Sequence, residues 1–506
     1  MDPFLFKLSH EKVTPASNSF SVWDWMRNEL IKKKLETPLG YLLLIGIALL
    51  FSWQIGNYGW ISAAVWLLVL CIIPLLVVSM FNLKFGLYMT VIAAFLVMGL
   101  KKITGDLPLG LFLDASILMM IFGVYLKQIR RRDWRALYHT FTVLTAVWLG
   151  YNFIQLFNPY SPSQIAWFYE VRNTGLRMVL FFIPLFAFTK FDDVRKLGYM
   201  WIALTTLGAL YAIVQHTLGL QRFERLWLLE EVAYLDKVFI DGTPRNFSFF
   251  SSPGIMGILM GGTSIFCMPL MLSTELEKKY KLALAASVVL MWIAMFLSGT
   301  RTAFVVVPVA CLMIVGLSLN KKLAIWLGVV ALIWGIMYVI PSENIIIQRY
   351  KSTFTISEST SYQDRVNTQE FLKPFIRSHP IGGGIGLTGK RGRQFSPDRM
   401  ITEIRLEGGY IQLAIEMGWI GLGIFLGILF VISSFAVRYY FRIKDPELKL
   451  WTLAFLGALF AFCMGNYSQI IFNSLPTSLF LYLSMACFVL LRRFDNEDRS
   501  FDAFAW

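Results

Sequence analysis

The residues of this chain best suited to chemistry are charges set where charge is costly. Arg301 stands in SGTRTA, Arg245 in TPRNFSFFSSPG, and Arg177, with Arg172 nearby, opens an apolar run. A guanidinium stays ionised and offers a planar fork of donors that matches phosphate oxygens. Arg177, Arg245 and Arg301 together would suit one anionic ligand of diphosphate type. Singly, each fits equally a local carboxylate pair or a headgroup anchor. Small and hydroxyl-bearing neighbours around Arg245 and Arg301 favour close approach of a ligand. Asp114 lies about two turns into an apolar run. It serves either to orient an arginine or a sugar hydroxyl, or to make a buried ion pair between helices. Glu416, inside AIEMGWIG, reads first as a structural hydrogen bond to a neighbouring helix.

A long polar segment, Pro341 to Gly408, adds further candidates. A connection of about 65 residues without obvious structure is unusual on length alone and tends to be functional. Arg365 either faces a site or pairs with Glu370 or Asp364. His379-Pro380 precedes GGGIG, Gly382 to Gly386, where the N–H groups of Gly383 and Gly384 could meet a phosphate or simply make a tight turn. GKRGR, Gly389 to Arg393, is a solvated basic patch able to attract an anion. DRVNTQEFLKPFI has apolar residues at helical spacing, with a stop expected near Pro374 or before Pro380. For a general base, His216 and His379 are the histidines that can share a side with these groups; Glu403 and Glu407 are the carboxylates nearest the next apolar run. Glu407 is placed to accept a proton from a hydroxyl, or else to complement a helix dipole. No metal-ligand spacing, nucleotide loop or exposed acidic pair calls for a metal or cofactor.

These groups need a scaffold, and composition defines it. Of 506 residues, 57% are hydrophobic, 16% aromatic and only 15% charged, with a mean hydropathy of +0.60. That excludes an ordinary soluble domain and predicts an all-α polytopic transmembrane bundle. About 12–14 spans satisfy the length rule, the fullest reading being 38–55, 58–79, 84–100, 107–126, 138–157, 174–190, 196–216, 252–273, 280–298, 302–319, 322–340, 409–436, 450–469 and 476–491. The net charge of +14 comes largely from Lys and Arg in short loops, such as KQIRRRDWR after span four. This is the positive-inside pattern of a protein embedded in a lipid bilayer and not a nucleic-acid surface. Alternation places these loops and both termini in the cytoplasm, with Lys101-Lys102 the exception. The five cysteines lie in apolar runs without paired spacing and read as small hydrophobes.

The layout expected is a cytoplasmic segment 1–37 without a removable signal peptide. Eleven spans over 38–340, an outer loop 341–408, three spans over 409–491 and a cytoplasmic tail 492–506 follow. Within Gln221 to Gly254, RFERLWLL predicts a short amphipathic helix on the membrane surface.

The order of four motifs resembles the O-antigen ligase/polymerase superfamily over roughly the C-terminal half of the chain. They are R-x-x-x-F-x-x-S-P at Arg245 to Pro253, SGTRTA at Ser298 to Ala303, HPIGGGIG at His379 to Gly386, and GYIQLAIEMGWIGL at Gly409 to Leu422. The resemblance implies a bundle similar to the GT-C class, metal-independent inverting transfer and no cofactor. It also implies an undecaprenyl-pyrophosphate-linked glycan donor held by arginines on the periplasmic side of the bacterial inner membrane. A glycan, lipid A-core or protein would be the acceptor. Where the ligases of this family read H-N-x-Y, this chain reads EGGY, so Glu407 takes the histidine's place. The family includes polymerases, which implies a second reading as an exopolysaccharide polymerase. A lipid-linked oligosaccharide flippase would instead show charges near midspan and paired broken helices.

Overall fold

A computed structural model of the chain describes residues 37–497 apart from 106–108, 162, 231–234, 236–237, 241–242, 343–344, 355–359, 398–399 and 405. The architecture is all-α. Among the described residues, twelve helices are long and apolar enough to cross a membrane. One two-residue antiparallel pairing, Phe239–Ile240 with Thr243–Pro244, interrupts the helical pattern.

The chain divides into two compact units, Met1–Phe81 and Asn82–Trp506. The first contains the helices Pro38–Tyr58 and Trp60–Phe81, joined at Gly59. The second contains every candidate site residue named above.

In the second unit the membrane helices are Leu83–Thr104, Gly110–Arg131, Thr140–Ile154, Phe191–Leu218, Pro253–Leu270, Lys278–Leu297, Arg301–Ser318, Lys321–Val339, Gly409–Arg442, Pro446–Gly465 and Thr477–Glu497. The span expected at 174–190 is not a single helix. A 3₁₀ segment, Leu176–Phe181, passes into a short α-helix, Phe182–Ala187. Pro184 explains the restart: it has no N–H to give to an upstream carbonyl, so it is tolerated only in the first turn of a new helix. Irregular backbone of this kind persists in a membrane protein where protein covers it, and here it packs on the Thr477–Glu497 and Gly110–Arg131 helices.

Pro253–Leu270 is the core of the bundle. All eighteen of its residues are buried, as expected of a helix apolar on every face. It packs on Pro446–Gly465, Lys278–Leu297, Arg301–Ser318 and Phe191–Leu218. Its small residues admit close neighbours: Gly257 meets Ser298 and Thr300, and Gly262 meets the Phe462 ring. The start of this helix and the start of the Arg301 helix therefore lie at one end of the bundle. Thr300 Oγ1 donates to the Pro253 carbonyl at 3.1 Å.

The segment 341–408 is more ordered than its sequence suggests. It carries helices Ile345–Lys351, Thr360–Ser378, Gly389–Phe395 and Met400–Glu403. Thr360–Ser378 runs through Pro374 and stops before His379-Pro380, where a residue preceding proline leaves the α region. RFERLWLL forms the expected helix, Arg222–Leu229, with Glu224, Trp227 and Leu228 buried and Leu226 and Leu229 exposed.

Candidate functional site

Arg245 lies where the two-residue pairing meets the core helix. Its N–H donates to the Val238 carbonyl at 2.8 Å. Its Nε donates to the Ser298 carbonyl at 2.7 Å and its Nη2 to Thr300 Oγ1 at 3.0 Å. Arg245 is thus bonded directly into the SGTR turn that begins the Arg301 helix. The loop that follows is fixed from two sides. Gln215 Oε1 accepts from the N–H groups of Phe247 and Ser248, each at 3.0 Å. Asn246 Nδ2 donates to the Ala212 carbonyl at 2.9 Å, and Ser248 Oγ to that of Gly208 at 2.8 Å. Lys102 approaches from the other side, its Nζ donating to the carbonyls of Ser248 and Phe250. Lys102 had no assigned purpose in the sequence; it is a fully enclosed brace for the loop that presents Arg245.

Gly299 marks the closest approach. Its φ of +56° is one that L side chains rarely adopt, and a Cβ there would stand 3.0 Å from Arg349 Nη1 and 3.7 Å from Arg245 Nε. Arg349 lies on the Ile345–Lys351 helix of the long outer segment, and sequence reasoning did not single it out. Arg301 begins its helix two residues after Gly299, preceded by Thr300, whose side chain makes no cap bond to that helix. Ser252 caps the Pro253 helix by accepting from the Ile255 N–H. The positive ends of two long helices, one of them beginning at Arg301, and the guanidinium groups of Arg245 and Arg349 thus share one region, an arrangement suited to an anion.

Glu407 approaches the same end of the bundle from the far side of the outer segment. It is half-buried and precedes Gly408 and Gly409. The Gly409 N–H donates to the Asn466 carbonyl at 2.8 Å and to that of Gln469 at 3.2 Å. The Gln469 side-chain amide in turn packs directly on Gly254, in the first turn of the core helix. Gln469 therefore links the loop carrying Glu407 to the helix that follows the Arg245 loop. Nothing in its sequence surroundings gave a sign of that position.

The structure groups Arg177 differently. It is 5% exposed, with Asp114, Tyr482, Arg172 and Glu170 as its electrostatic neighbours. Asp114 adopts the ion-pair alternative, with Arg172 Nη1 at 3.1 Å from its Oδ2. Asp114 Oδ1, Arg172 Nε and Arg177 Nε make no hydrogen bond among the described residues. These neighbours come from other parts of the bundle than the residues around Gly299.

The glycine turn is a seam between elements. The Gly409–Arg442 helix breaks at Gly418, whose φ of +72° and ψ of 179° leave the upstream carbonyls without helical partners. The N–H groups of Gly383 and Gly384 donate to the carbonyls of Ile415 and Glu416 at 2.8 and 2.9 Å, and the Ile420 N–H donates to Pro380 at 3.2 Å. The N–H groups of Gly383 and Gly384 are thus engaged by the carbonyls of the interrupted helix, an outcome beside the phosphate contact and the tight turn expected of them. Gln155 and Asn158 side chains hold the Ile381 carbonyl at 2.8 and 3.2 Å. His379 stacks on Phe375 with ring centres 4.2 Å apart and meets Tyr160 edge-on at 4.6 Å. Arg365 lies on the Thr360–Ser378 helix, and its side chain, like that of Glu403, is outside the described residues. His216 is exposed at the end of the Phe191–Leu218 helix. Glu416 makes structural bonds, though to Thr388 before a short helix and to Gln412 of its own helix and not to a neighbouring membrane helix. Its carboxylate accepts from the N–H and hydroxyl of Thr388 and from Gln412 Nε2. It also lines a small cavity of about 40 Å³ with Gln412, Asn466, Asn473 and Tyr482.

The fold and this cluster define a multi-pass all-α membrane protein with a cationic region where two core helices begin. Residues 286–426 are similar to a family model described as O-antigen ligase. The matched segment contains Arg301, Arg349, the glycine seam and Glu407; Arg177 and Arg245 precede it. No curated protein matches the chain.

Proposed function

We propose that the protein is a membrane glycosyltransferase that moves a glycan from a polyprenyl-pyrophosphate donor to an acceptor hydroxyl. The observation that supports this reading is the bonding of Arg245 into the turn that begins the Arg301 helix, which fixes its guanidinium group beside two helix starts. In the proposed step the acceptor oxygen attacks the anomeric carbon from the face opposite the pyrophosphate. The carbon–oxygen bond to pyrophosphate breaks, and its electron pair leaves with the phosphoryl oxygen. Arg245 and Arg301 neutralise that charge, a contribution largest where water is scarce. Glu407 takes the acceptor's proton. The guanidinium groups supply the positive charge that a metal ion supplies elsewhere.

The proposed setting is the bacterial inner membrane, with both termini cytoplasmic and the arginine cluster on the periplasmic side. The donor is an undecaprenyl-pyrophosphate glycan; the acceptor is lipid A-core, another glycan or a protein side chain. Transfer from such a donor in liposomes tests the reading. Arg245→Ala and Arg301→Ala are each expected to lower transfer about 100-fold or more, and Glu407→Gln to abolish it without loss of folded protein. Near-wild-type transfer by both arginine variants overturns the proposal. Product length separates the two family readings: one block transferred marks a ligase, and a ladder of repeats marks a polymerase.

A further inference from the structure

Arg349 is held over the same peptide as Arg245, and its position is built into the fold. The neighbouring Tyr350 is 1% exposed. Its hydroxyl donates to the Trp334 carbonyl at 2.7 Å, and its ring lies edge-on to Phe304 and Phe296 with centres 5.5 and 6.3 Å away. Trp334 Nε1 in turn donates to the Phe304 carbonyl at 2.8 Å. The short Ile345–Lys351 helix is therefore pinned to the Arg301 and Lys321 helices by a buried aromatic. Arg349 projects from the pinned turn onto Gly299, where the absence of a side chain admits its Nη1.

We propose that Arg349 is a third anion-binding guanidinium of this site and that it makes the site selective for a diphosphate over a monophosphate. The inference rests on the glycosyltransferase reading above. A diphosphate joining a lipid to a sugar carries a negative charge on each phosphoryl group, and gains roughly one more as the anomeric bond breaks. Two arginines match the bound donor; a third matches the departing lipid diphosphate. A lipid monophosphate offers one phosphoryl group in place of two, so Arg349 adds little to its binding.

The test uses the full chain in nanodiscs, with undecaprenyl pyrophosphate and undecaprenyl monophosphate as separate probes. Wild type is expected to bind the pyrophosphate more tightly by at least 10-fold. Arg349→Gln should lose most of that preference while its affinity for the monophosphate changes by less than threefold. Arg349→Lys should recover part of it, and Tyr350 should keep both variants folded, as checked by thermal unfolding. If Arg349→Gln retains the wild-type preference while Arg245→Ala and Arg301→Ala lose pyrophosphate binding, Arg349 has no such role and the glycosyltransferase reading stands. If all three variants bind pyrophosphate as wild type does, both readings fall together.

Discussion

Lys102 Nζ lies 2.8 Å from the carbonyl oxygen of Ser248 and 2.7 Å from that of Phe250. The same Nζ stands 4.1 Å from the centre of the Phe247 ring and 5.0 Å from that of Trp227. Ser248 has a φ of +53°, uncommon for any residue but glycine, and the lysine is one of the contacts that hold it there. Lys102→Met keeps the length of the side chain but leaves two buried carbonyls unpaired, each costing about 1–3 kcal/mol. The variant should show a lower unfolding midpoint. Transfer by the protein that remains folded should fall about 10-fold or more, because the Arg245 loop is then loosely placed. Transfer equal to wild type per folded molecule would show that the loop holds without its brace.

Gly418 tests the seam. Its conformation costs an L residue about 1–3 kcal/mol, and an added Cβ would collide with the Pro380 carbonyl and the Gly382 N–H. Gly418→Ala should reduce the yield of folded protein and expose the GGGIG turn to proteolysis. An intact, wild-type digestion pattern would mean that the seam tolerates displacement.

Glu416 distinguishes a hydrogen-bonding role from a charge-dependent one. At 3% exposure its carboxylate serves Thr388 and Gln412. Glu416→Gln preserves an acceptor and is expected to cost less than about 1 kcal/mol, whereas Glu416→Leu leaves the Thr388 groups unpaired and should cost about 2–3 kcal/mol. Thermal unfolding in detergent measures both. Transfer by the folded glutamine variant should stay within about threefold of wild type; a much larger loss would give Glu416 a part in the chemistry.

Gln469 is expected to matter for activity more than for stability. Its amide lies between Gly254 of the core helix and the loop that presents Glu407. Gln469→Leu should lower transfer about 10-fold or more with an unfolding midpoint close to that of wild type. Unchanged transfer would separate Gln469 from the reacting region.

Much of this protein was legible in its residues because a bilayer imposes simple demands. A helix that must cross hydrocarbon announces itself by length and apolarity, and costly charges draw attention to Arg245, Arg301, Asp114 and Glu416. The surface helix at RFERLWLL and the halt before Pro380 were equally local matters, set by amphipathic spacing and by proline sterics. Other features depended on residues far apart in the chain. Lys101-Lys102 stood out only as the exception to the loop charge pattern, and the role of Lys102 was not local, since its partners lie 146 and 148 positions away. Arg349 is one basic residue in a polar segment until Tyr350 is buried against Trp334 and Phe304. The uses of the glycine turn were undecided because two partners compete for its N–H groups, and only the break at Gly418 supplies carbonyls for them. Sequence alone therefore determined a membrane bundle and its family resemblance, and it singled out Arg245 and Arg301 as candidates. Tertiary structure decided which charges meet. It gave Asp114 to Arg172 and placed Arg245 and Arg349 on one glycine, because ion pairs and close approaches depend on packing between elements that chain order does not encode.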